Sequence, residues 1–293
     1  MITLKTDLST RLFSISLLLI AMISIQSGAA LAKHFFPLVG AEGATALRLF
    51  FAATIMVIVM RPWRAQHTFL SLRWVVLYGL ALGGMNLLFY LSIRTVPLGI
   101  GVALEFMGPL AIAIYSSRRI VDFFWILLVV IGLYLLLPIG SELNSIDPMG
   151  ALYGLGAGAC WAFYIFFGKR AGTHYGTQGV AIGMVVAAFL VVPFGVAKAG
   201  LALFSVDLIP LAIALAILSS ALPYSLEMVA LTRLPARTFG ILMSIEPVCA
   251  TFSGLLFLDE KLTWIQWLAI MAIVIASAGT TVNIQSKNDK KSP

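Results

Sequence analysis

The amino-acid sequence predicts an all-α integral membrane protein with ten transmembrane helices, arranged as a five-plus-five inverted-topology repeat with both termini in the cytoplasm. Three observations lead to this prediction. The chain is 61% hydrophobic and only 11% charged, whereas a soluble domain carries about 25% charged residues. Its apolar residues fall into ten runs, each near the roughly 20 residues that cross a bilayer. A proline pattern of the first half also recurs in the second half.

The predicted spans follow one another with short connections, after a polar leader at residues 1–11 and before a basic tail at residues 284–293. The first five-helix repeat is predicted at residues 12–139 and the second at residues 149–283. In order, the predicted spans are 12–32, 43–60, 72–93, 97–117, 122–139, 149–168, 177–197, 207–230, 236–257 and 263–283.

The first apolar run has a second interpretation. A basic start, an apolar core and the sequence Ala30-Leu31-Ala32 are typical of a secretory signal peptide with its cleavage site. The run is long for a signal peptide, however, and its removal would leave an odd number of helices and disrupt the five-plus-five repeat. We therefore predict an uncleaved first helix.

The distribution of Lys and Arg predicts the orientation. With the N-terminus inside, 14 of these residues fall in cytoplasmic segments, 4 fall in outer segments, and Arg48 lies within a span. Cytoplasmic loops of membrane proteins carry such an excess, so both termini are predicted in the cytoplasm and the number of spans is even. The net charge of +7 is thereby explained by membrane topology, and we predict no nucleic-acid partner.

The stretch Met85–Leu110 contains the proline pattern of the repeat. Pro97 and Pro109 are twelve residues apart, as are Pro235 and Pro247, and a shift of 138 residues superimposes the two pairs. We predict these four prolines as hinges. Because each half has an odd number of helices, the second half enters the membrane in the opposite sense, which is the arrangement of carriers that expose one central site to each side in turn.

Four ionisable residues lie inside predicted spans, where a charge costs about 2.5 to 3.5 kcal/mol on insertion scales. Glu105, Glu227 and Glu246 are candidate ligands for a substrate ammonium or a proton, and Arg48 is a candidate ligand for a substrate carboxylate. Structural alternatives stay open: Glu105 or Glu246 could pair with Arg48, Glu227 could lie hydrated near Arg233, and Arg48 could extend to the outer interface.

Uncharged polar and aromatic side chains within the spans extend this set of candidates. Asn86 and Tyr90 are four residues apart on one helix face, and Asn86 coincides with Tyr224 under the 138-residue shift. The alternatives are hydrogen bonds between helices, and lipid-facing or interfacial positions for Trp161 and Tyr164. The uncharged candidates are Gln26, Asn86, Tyr90, Trp161, Tyr164 and Tyr224.

The sequence contains no pattern for metal or enzyme chemistry. Cys160 and Cys249 fall in apolar segments, and His34, His67 and His174 fall in predicted loops without the spacing of a zinc site. A phosphate-binding glycine loop with Lys and Ser or Thr is also missing from the sequence. We therefore predict a transporter without a cofactor, and a membrane enzyme or a sensor is the alternative of a different class.

Three long segments carry a family resemblance: SIQSGAALAKHFFPLVGAEGATALRL, GGMNLLFYLSIRTVPLGIGVALEFMGPLA and SSALPYSLEMVALTRLPARTFGILMSIEP. They resemble the EamA-type branch of the drug/metabolite transporter superfamily, and within it the threonine and homoserine exporters of the inner membrane of enteric bacteria. The similarity extends from about Leu12 to Asn283.

The resemblance implies a multi-pass protein of the bacterial inner membrane that exports small amino acids, threonine and homoserine foremost, in exchange for protons. The residues are compatible with this cargo, because an amino-acid zwitterion needs an anion for its ammonium and a cation for its carboxylate. Glu105 or Glu227 is the expected site shared by proton and substrate. Exporters of the same fold for aromatic or sulfur amino acids, purines or drugs stay open, as does a homodimer.

Overall fold

In the computed structural model, the residues described are 8–64, 69–116, 120–136, 147–234, 239, 242–258, 263–265 and 267–276. Their regular elements are helical. The α-helices are α1 (Leu8–Lys33), α2 (Phe36–Met60), α3 (Phe69–Ile93), α4 (Leu98–Glu105), α5 (Met107–Ser116), α6 (Ile120–Leu136), α7 (Pro148–Tyr175), α8 (Gln178–Ala199), α9 (Ile209–Ala216), α10 (Leu222–Arg233), α11 (Glu246–Phe257) and α12 (Trp267–Ala276). A π-helix at Ile217–Ala221 joins α9 to α10.

Within the described ranges, six helical stretches are long and apolar enough to cross a membrane: Phe13–Lys33, Phe36–Met60, Leu72–Ile93, Pro148–Tyr175, Gln178–Phe204 and Val206–Arg233. They correspond to the first, second, third, sixth, seventh and eighth predicted spans. Shorter apolar helices occupy the other four predicted positions, at Leu98–Ile112, Phe123–Leu135, Glu246–Phe257 and Trp267–Ala276. The prediction of an all-helical membrane protein is confirmed at this level.

The start of α2 differs from the prediction, which placed residues 33–42 in a loop. The helix begins at Phe36, with Pro37 in its first turn, where the missing amide hydrogen has no intrahelical partner to lose. Gly40 interrupts the helix with φ 72° and ψ 172°, a conformation that glycine adopts because it has no Cβ. The chain therefore forms one extra helical turn and a kink before the long apolar part of α2.

Prolines interrupt the helices next to the centre of the molecule. Pro109 lacks the amide hydrogen that would bond to the carbonyl of Glu105, and the helix breaks at Phe106 between α4 and α5. Pro247 lies in the first turn of α11, directly after a 3₁₀ turn at Met243–Ile245. The break and the turn coincide under the 138-residue shift, so both halves interrupt a helix at the same place.

Two of the other predictions, for the turn before Pro97 and for His34, agree with the structure, and the one for His174 does not. Pro97 precedes α4 in an extended conformation (φ −53°, ψ 146°), after the expected turn. Pro235 and His67 lie outside the described residues. His34 lies in the turn between α1 and α2, as predicted. The loop predicted for His174 is wrong, because α7 continues beyond the predicted end of the sixth span and places this residue in its last turn.

The packing of the helices repeats between the two halves. Helix α3 packs against α7, as α10 packs against α1, and α3 packs against α8, as α9 and the π-helix pack against α2. Helices α4 and α5 pack against α7, as α11 packs against α1. The pairs α2–α8 and α4–α11 each join equivalent helices. The helix contacts of one half therefore have counterparts in the other half, and these two pairs join the halves.

Candidate functional site

A narrow cavity lies where helices of both halves converge, and eight of the ten candidate side chains line it. Its volume, measured for the centre of a water-sized sphere, is ≈ 20 Å³, enough for roughly one water molecule. Of the other two candidates, Tyr90 lies beneath Arg48 and Tyr164 bonds to Glu227. The lining residues are Ile25, Gln26, Ala29, Arg48, Met85, Asn86, Phe89, Glu105, Trp161, Tyr224, Glu227 and Glu246.

Arg48 is the cation of the cavity, and only 1% of its surface is exposed. Its Nη1 atom donates to the carbonyl of Ser219 at 3.2 Å and contacts the Oγ atom of the same residue at 2.5 Å. Its Nη2 atom donates to Oδ1 of Asn86. The guanidinium carbon lies 4.3 Å from the centre of the Tyr90 ring, a cation–π contact. Every direct partner of the guanidinium is therefore uncharged.

None of the three buried glutamates pairs directly with Arg48. All three lie in the described part of the chain, and none forms an ion pair with the guanidinium within 4.0 Å. The predicted alternative of structural ion pairs with Glu105 or Glu246 is thus not found. The burial of Arg48 also excludes the alternative in which this side chain extends to the outer interface.

The Ser219 carbonyl is available to Arg48 because of a proline. Pro223 has no amide hydrogen, so the carbonyl four residues earlier loses its α-helical donor. The helix widens into a π-turn at Ile217–Ala221, in which the amide of Leu222 donates to the carbonyl of Ile217. Sequence reasoning missed Ser219; the signal that could have found it is its position four residues before Pro223.

Asn86 and Tyr224 connect the two halves directly. The Tyr224 hydroxyl donates to Oδ1 of Asn86 at 2.9 Å, across 138 residues of sequence. The Nδ2 atom of Asn86 donates to the carbonyl of Leu82 at 2.7 Å, which turns Oδ1 toward Tyr224 and Arg48. Two residues that are equivalent in a repeat touch each other only near the axis that relates the halves. The cavity therefore lies where two positions related by the 138-residue shift meet.

Glu227 is buried, with 2% of its surface exposed, and accepts a hydrogen bond from the Tyr164 hydroxyl at 3.0 Å. The alternative of a hydrated position near Arg233 is not found. Tyr164 and Trp161 are also buried, which excludes the lipid-facing alternative for both. The Tyr164 ring lies 5.0 Å from the ring of Tyr78, an inward-facing residue that sequence reasoning did not identify.

Glu246 and Gln26 form a second polar pair. The Nε2 atom of Gln26 donates to Oε1 of Glu246 at 2.8 Å. Within the described part of the chain, Oε2 of Glu246, Oε1 of Gln26 and Nε of Arg48 are buried without a hydrogen-bond partner. Buried polar atoms are nearly always satisfied in proteins, so these atoms can accept or donate bonds to a bound molecule or to water.

Glu105 is the last residue of α4 and faces the cavity. Two glycines hold this helix end close to α7. A Cβ atom added to Gly108 would collide with the carbonyl oxygen of Gly158, and one added to Gly158 would lie 2.6 Å from the carbonyl oxygen of Glu105. Only glycine permits this approach, and it places Glu105 opposite the helix that carries Trp161 and Tyr164.

A separate polar cluster ties the turn between α3 and α4 to the start of α7. Asp147 caps α7 by accepting from the amides of Met149 and Gly150, and it accepts from the Thr95 hydroxyl at 2.8 Å. The Thr95 hydrogen bond is the main cause that lowers the pKa of Asp147 below its ordinary value. In the same turn, the Nη1 atom of Arg94 lies 3.9 Å from the Oε1 atom of Glu42 of α2, which is a long salt bridge. Sequence reasoning did not identify this cluster.

Among the described residues, no three His, Cys, Asp or Glu side chains are placed to hold a metal ion. Cys160 and Cys249 are free thiols. The polar groups of the cavity are instead suited to a small ligand that carries both a positive and a negative charge.

Apolar helices that enclose a buried cavity with acidic and basic side chains are typical of a membrane carrier. Residues 148–282 match the EamA-like transporter family. The chain is 57% identical over 271 residues to the threonine/homoserine exporter RhtA of Salmonella typhimurium, covering 92% of each chain. It is 56% identical over 277 residues to RhtA of Escherichia coli, covering 94% of each chain. The chain belongs to the EamA-like transporter family, a family of transporters rather than of enzymes.

A solved crystal structure supports the fold. It superimposes with a TM-score of 0.67 over 91% of this chain and 98% of its own length, at 18% sequence identity. At this identity the likeness concerns the fold alone.

Proposed function

We propose that this protein exports threonine and homoserine from the cytoplasm across the bacterial inner membrane, in exchange for protons. The observation that carries the proposal is the buried cavity in which Arg48 faces Glu105, Glu227 and Glu246 at the interface of two similar halves. The substrates come from the relatives, threonine/homoserine exporters at 56% and 57% identity. The multi-pass helices of the chain agree with an inner-membrane location.

The substrate carboxylate binds to Arg48. A guanidinium donates two parallel hydrogen bonds to a carboxylate, and such charge-assisted bonds are roughly twice as strong as neutral ones. The present partners of Arg48 are a backbone carbonyl, a hydroxyl and an amide oxygen. A carboxylate can therefore replace a neutral partner and gain energy from the charge.

The substrate ammonium binds to the acidic side of the cavity. An ammonium offers three donors, and Oε2 of Glu246 and Oε1 of Gln26 are buried acceptors without a partner among the described residues. Glu105, which lines the same cavity, supplies a further carboxylate. The arrangement fits a zwitterion whose two charges are close together.

The same glutamates carry the exchanged protons. Three buried carboxylates share the cavity with one guanidinium, and an uncompensated buried charge is strongly unfavourable. Without a substrate cation, protons neutralise the excess carboxylates, and a bound ammonium displaces them. Glu105 and Glu227 are the proposed shared sites. One charge moved through 100 mV supplies about 2.3 kcal/mol, roughly a forty-fold concentration ratio.

For alternating access, the proposal has the chain cross the membrane ten times, with cytoplasmic termini and a five-plus-five inverted repeat at residues 12–139 and 149–283. The paired helix contacts and the bond between Tyr224 and Asn86 support two related halves. The cavity is too narrow for threonine as it stands, so its walls must separate. The helix interruptions at Phe106 and Met243–Ile245 lie beside the cavity glutamates and are the proposed hinge points, with Pro97, Pro109, Pro235 and Pro247.

Counterflow in proteoliposomes tests the function. Vesicles loaded with threonine should take up labelled threonine, and external homoserine should compete, whereas phenylalanine and a purine should not. An imposed proton gradient should then drive threonine uphill. Exchange of phenylalanine or a purine, with no exchange of threonine, would support a carrier but overturn the proposed substrates. Threonine transport that does not respond to the proton gradient would overturn the proposed exchange for protons.

A further inference from the structure

A second cavity, an apolar groove between α2 and α8, opens toward the lipid. Its volume is ≈ 470 Å³. The side chains at its edges point outward: Phe50 is 52% exposed and Phe189 is 79% exposed. The groove is lined by Phe50, Ala53, Thr54, Val57, Ile58, Val185, Ala188, Phe189, Val192 and Pro193.

The two walls of the groove use the same spacing on α2 and α8. Each wall uses the spacing i, i+3, i+4, i+7 and i+8, which lies along one face of a helix. Adding 135 to each α2 position gives the five α8 positions, about one helical turn short of the 138-residue shift of the proline pattern, so the groove lies close to the pseudo-two-fold axis expected for the repeat, near Ala53 and Ala188. In an inverted repeat this axis lies in the plane of the membrane, and the groove is therefore centred at the bilayer midplane.

Two exposed arginines flank one end of the groove. Arg61 follows Ala53 by eight residues, about 12 Å along a helix and close to half of the roughly 30 Å hydrocarbon core. Arg61 and the nearby Arg64 are exposed, and among the described residues neither has an acidic partner within 4.0 Å. The opposite end of the groove has one cation on α8, the exposed Lys198.

The conformation of Arg61 is unusual. It ends α2 in the left-handed region, at φ 48° and ψ 59°, and is the one non-glycine residue with positive φ in the described ranges. Glycine is the residue preferred at this position of a helix end. An arginine held there places a cation at the helix C-terminus, beside the inner end of the groove.

We propose that the groove between α2 and α8 binds an anionic phospholipid of the cytoplasmic leaflet, with an acyl chain in the groove and the phosphate group on Arg61 and Arg64. The leaflet rests on the orientation in the proposed function. Charge decides the occupant: basic groups at the cytoplasmic ends of transmembrane helices bind anionic lipid head groups. The distance along α2 from Arg61 to the axis matches the length of a lipid acyl chain that reaches the bilayer midplane.

Native mass spectrometry of the purified full-length protein tests the head-group contact. The protein is equilibrated with equal amounts of phosphatidylglycerol and phosphatidylcholine that carry the same acyl chains. Wild type should retain phosphatidylglycerol preferentially. Arg61→Gly suits the left-handed conformation and should keep the fold. Each arginine removed from the pair Arg61 and Arg64 should reduce the preference for phosphatidylglycerol over phosphatidylcholine about fivefold. Arg61→Lys should restore it, and Arg233→Gln, at another helix end, should not change it.

A substitution in the groove tests the acyl-chain contact. Thr54→Phe adds a ring to the groove from its exposed side and should reduce retention of both lipids, whereas Val59→Phe, on the same helix but outside the groove, should not. An unchanged preference after loss of both arginines, or equal effects of the two Phe variants, would overturn the proposal. A dimer without bound lipid that dissociates in the Thr54→Phe variant would show that a second copy of the chain occupies the groove, which would also overturn the proposal.

Both lipid-retention measurements are made without substrate and without a proton gradient. Their outcome is therefore independent of threonine counterflow, and a failure of the lipid proposal can be told apart from a failure of the exporter function.

Discussion

The two sides of the central cavity differ in how completely their polar atoms are bonded. On one side, Arg48, Asn86, Ser219 and Tyr224 form a network in which the guanidinium nitrogens Nη1 and Nη2 both have neutral partners. On the other side, the pair of Gln26 and Glu246 leaves one buried oxygen on each side chain without a partner in the described ranges. The first side is a hydrogen-bonded frame in which Nε of Arg48 has no partner among the described residues, whereas the second side leaves two acceptor oxygens open to a ligand or a proton.

The difference has an origin in the local structure. The frame is held by backbone features: the carbonyl released by Pro223, and the bond from Asn86 to its own helix. The acidic side is held by side chains alone, next to the helix interruption at Met243–Ile245. A side held by backbone features suits the proposed recognition of a carboxylate, and a side held by side chains alone suits the proposed exchange of cation and proton.

Replacing Arg48 should have the largest effect. Arg48→Met removes the cation, leaves the Ser219 carbonyl without this donor and leaves Oδ1 of Asn86 with Tyr224 alone. The expected loss is about 2 kcal/mol or more, roughly thirty-fold. Initial rates of threonine counterflow should fall by at least that factor. Arg48→Lys keeps the charge without the planar fork and should recover little. Wild-type rates in Arg48→Met, with Arg94→Gln as the matched control, would show that the cation is not part of the site.

Neutralising the proposed proton carriers should separate exchange from coupling. Glu105→Gln and Glu227→Gln should abolish uphill threonine export driven by a proton gradient while protein levels in the membrane stay normal. The gradient-driven and counterflow rates are measured on the same vesicles, and Glu42→Gln, outside the cavity, is the control. Normal coupling in both single variants would assign the proton to another group.

A smaller effect should distinguish Asn86 from its repeat equivalent. Asn86→Ala removes the acceptor of both Arg48 and Tyr224, whereas Tyr224→Phe removes one neutral hydrogen bond, worth about 1 kcal/mol. Threonine counterflow should therefore fall at most about fivefold in Tyr224→Phe and clearly further in Asn86→Ala. Equal losses in the two variants would mean that the Tyr224 hydroxyl itself contacts the substrate.

The smallest expected effect concerns the cap of α7, outside the cavity. Because the pKa of Asp147 is lowered, chiefly by the Thr95 hydroxyl, its stabilising contribution is present above the unfolded value near 4 and is lost as the pH falls through the folded pKa. Asp147→Ala should thus lower the melting temperature slightly at pH 7, and the difference should shrink near pH 3. Thermal unfolding at both pH values measures it, and a difference that grows on acidification would contradict the assignment.

The sequence by itself determined the membrane class, because hydropathy and run length are local properties that the bilayer imposes on every segment. It also identified the cavity residues: an ionisable or polar side chain in an apolar run must face inward, so all three glutamates, Arg48 and Asn86 could be selected without coordinates. The family followed from long segments such as the one around Glu105.

Only the tertiary structure decided which of these groups meet. Arg48 is hydrogen-bonded to Ser219, 171 residues away in the sequence, and Gln26 is hydrogen-bonded to Glu246, 220 residues away. Hydrophobic periodicity cannot predict a partner at such a separation. Ion pairs with Arg48 were a reasonable expectation from charge alone, yet Pro223 released a carbonyl that occupies the guanidinium instead. Hydropathy determines that a polar group is buried, whereas its partner depends on how the helices pack and where their backbone is broken.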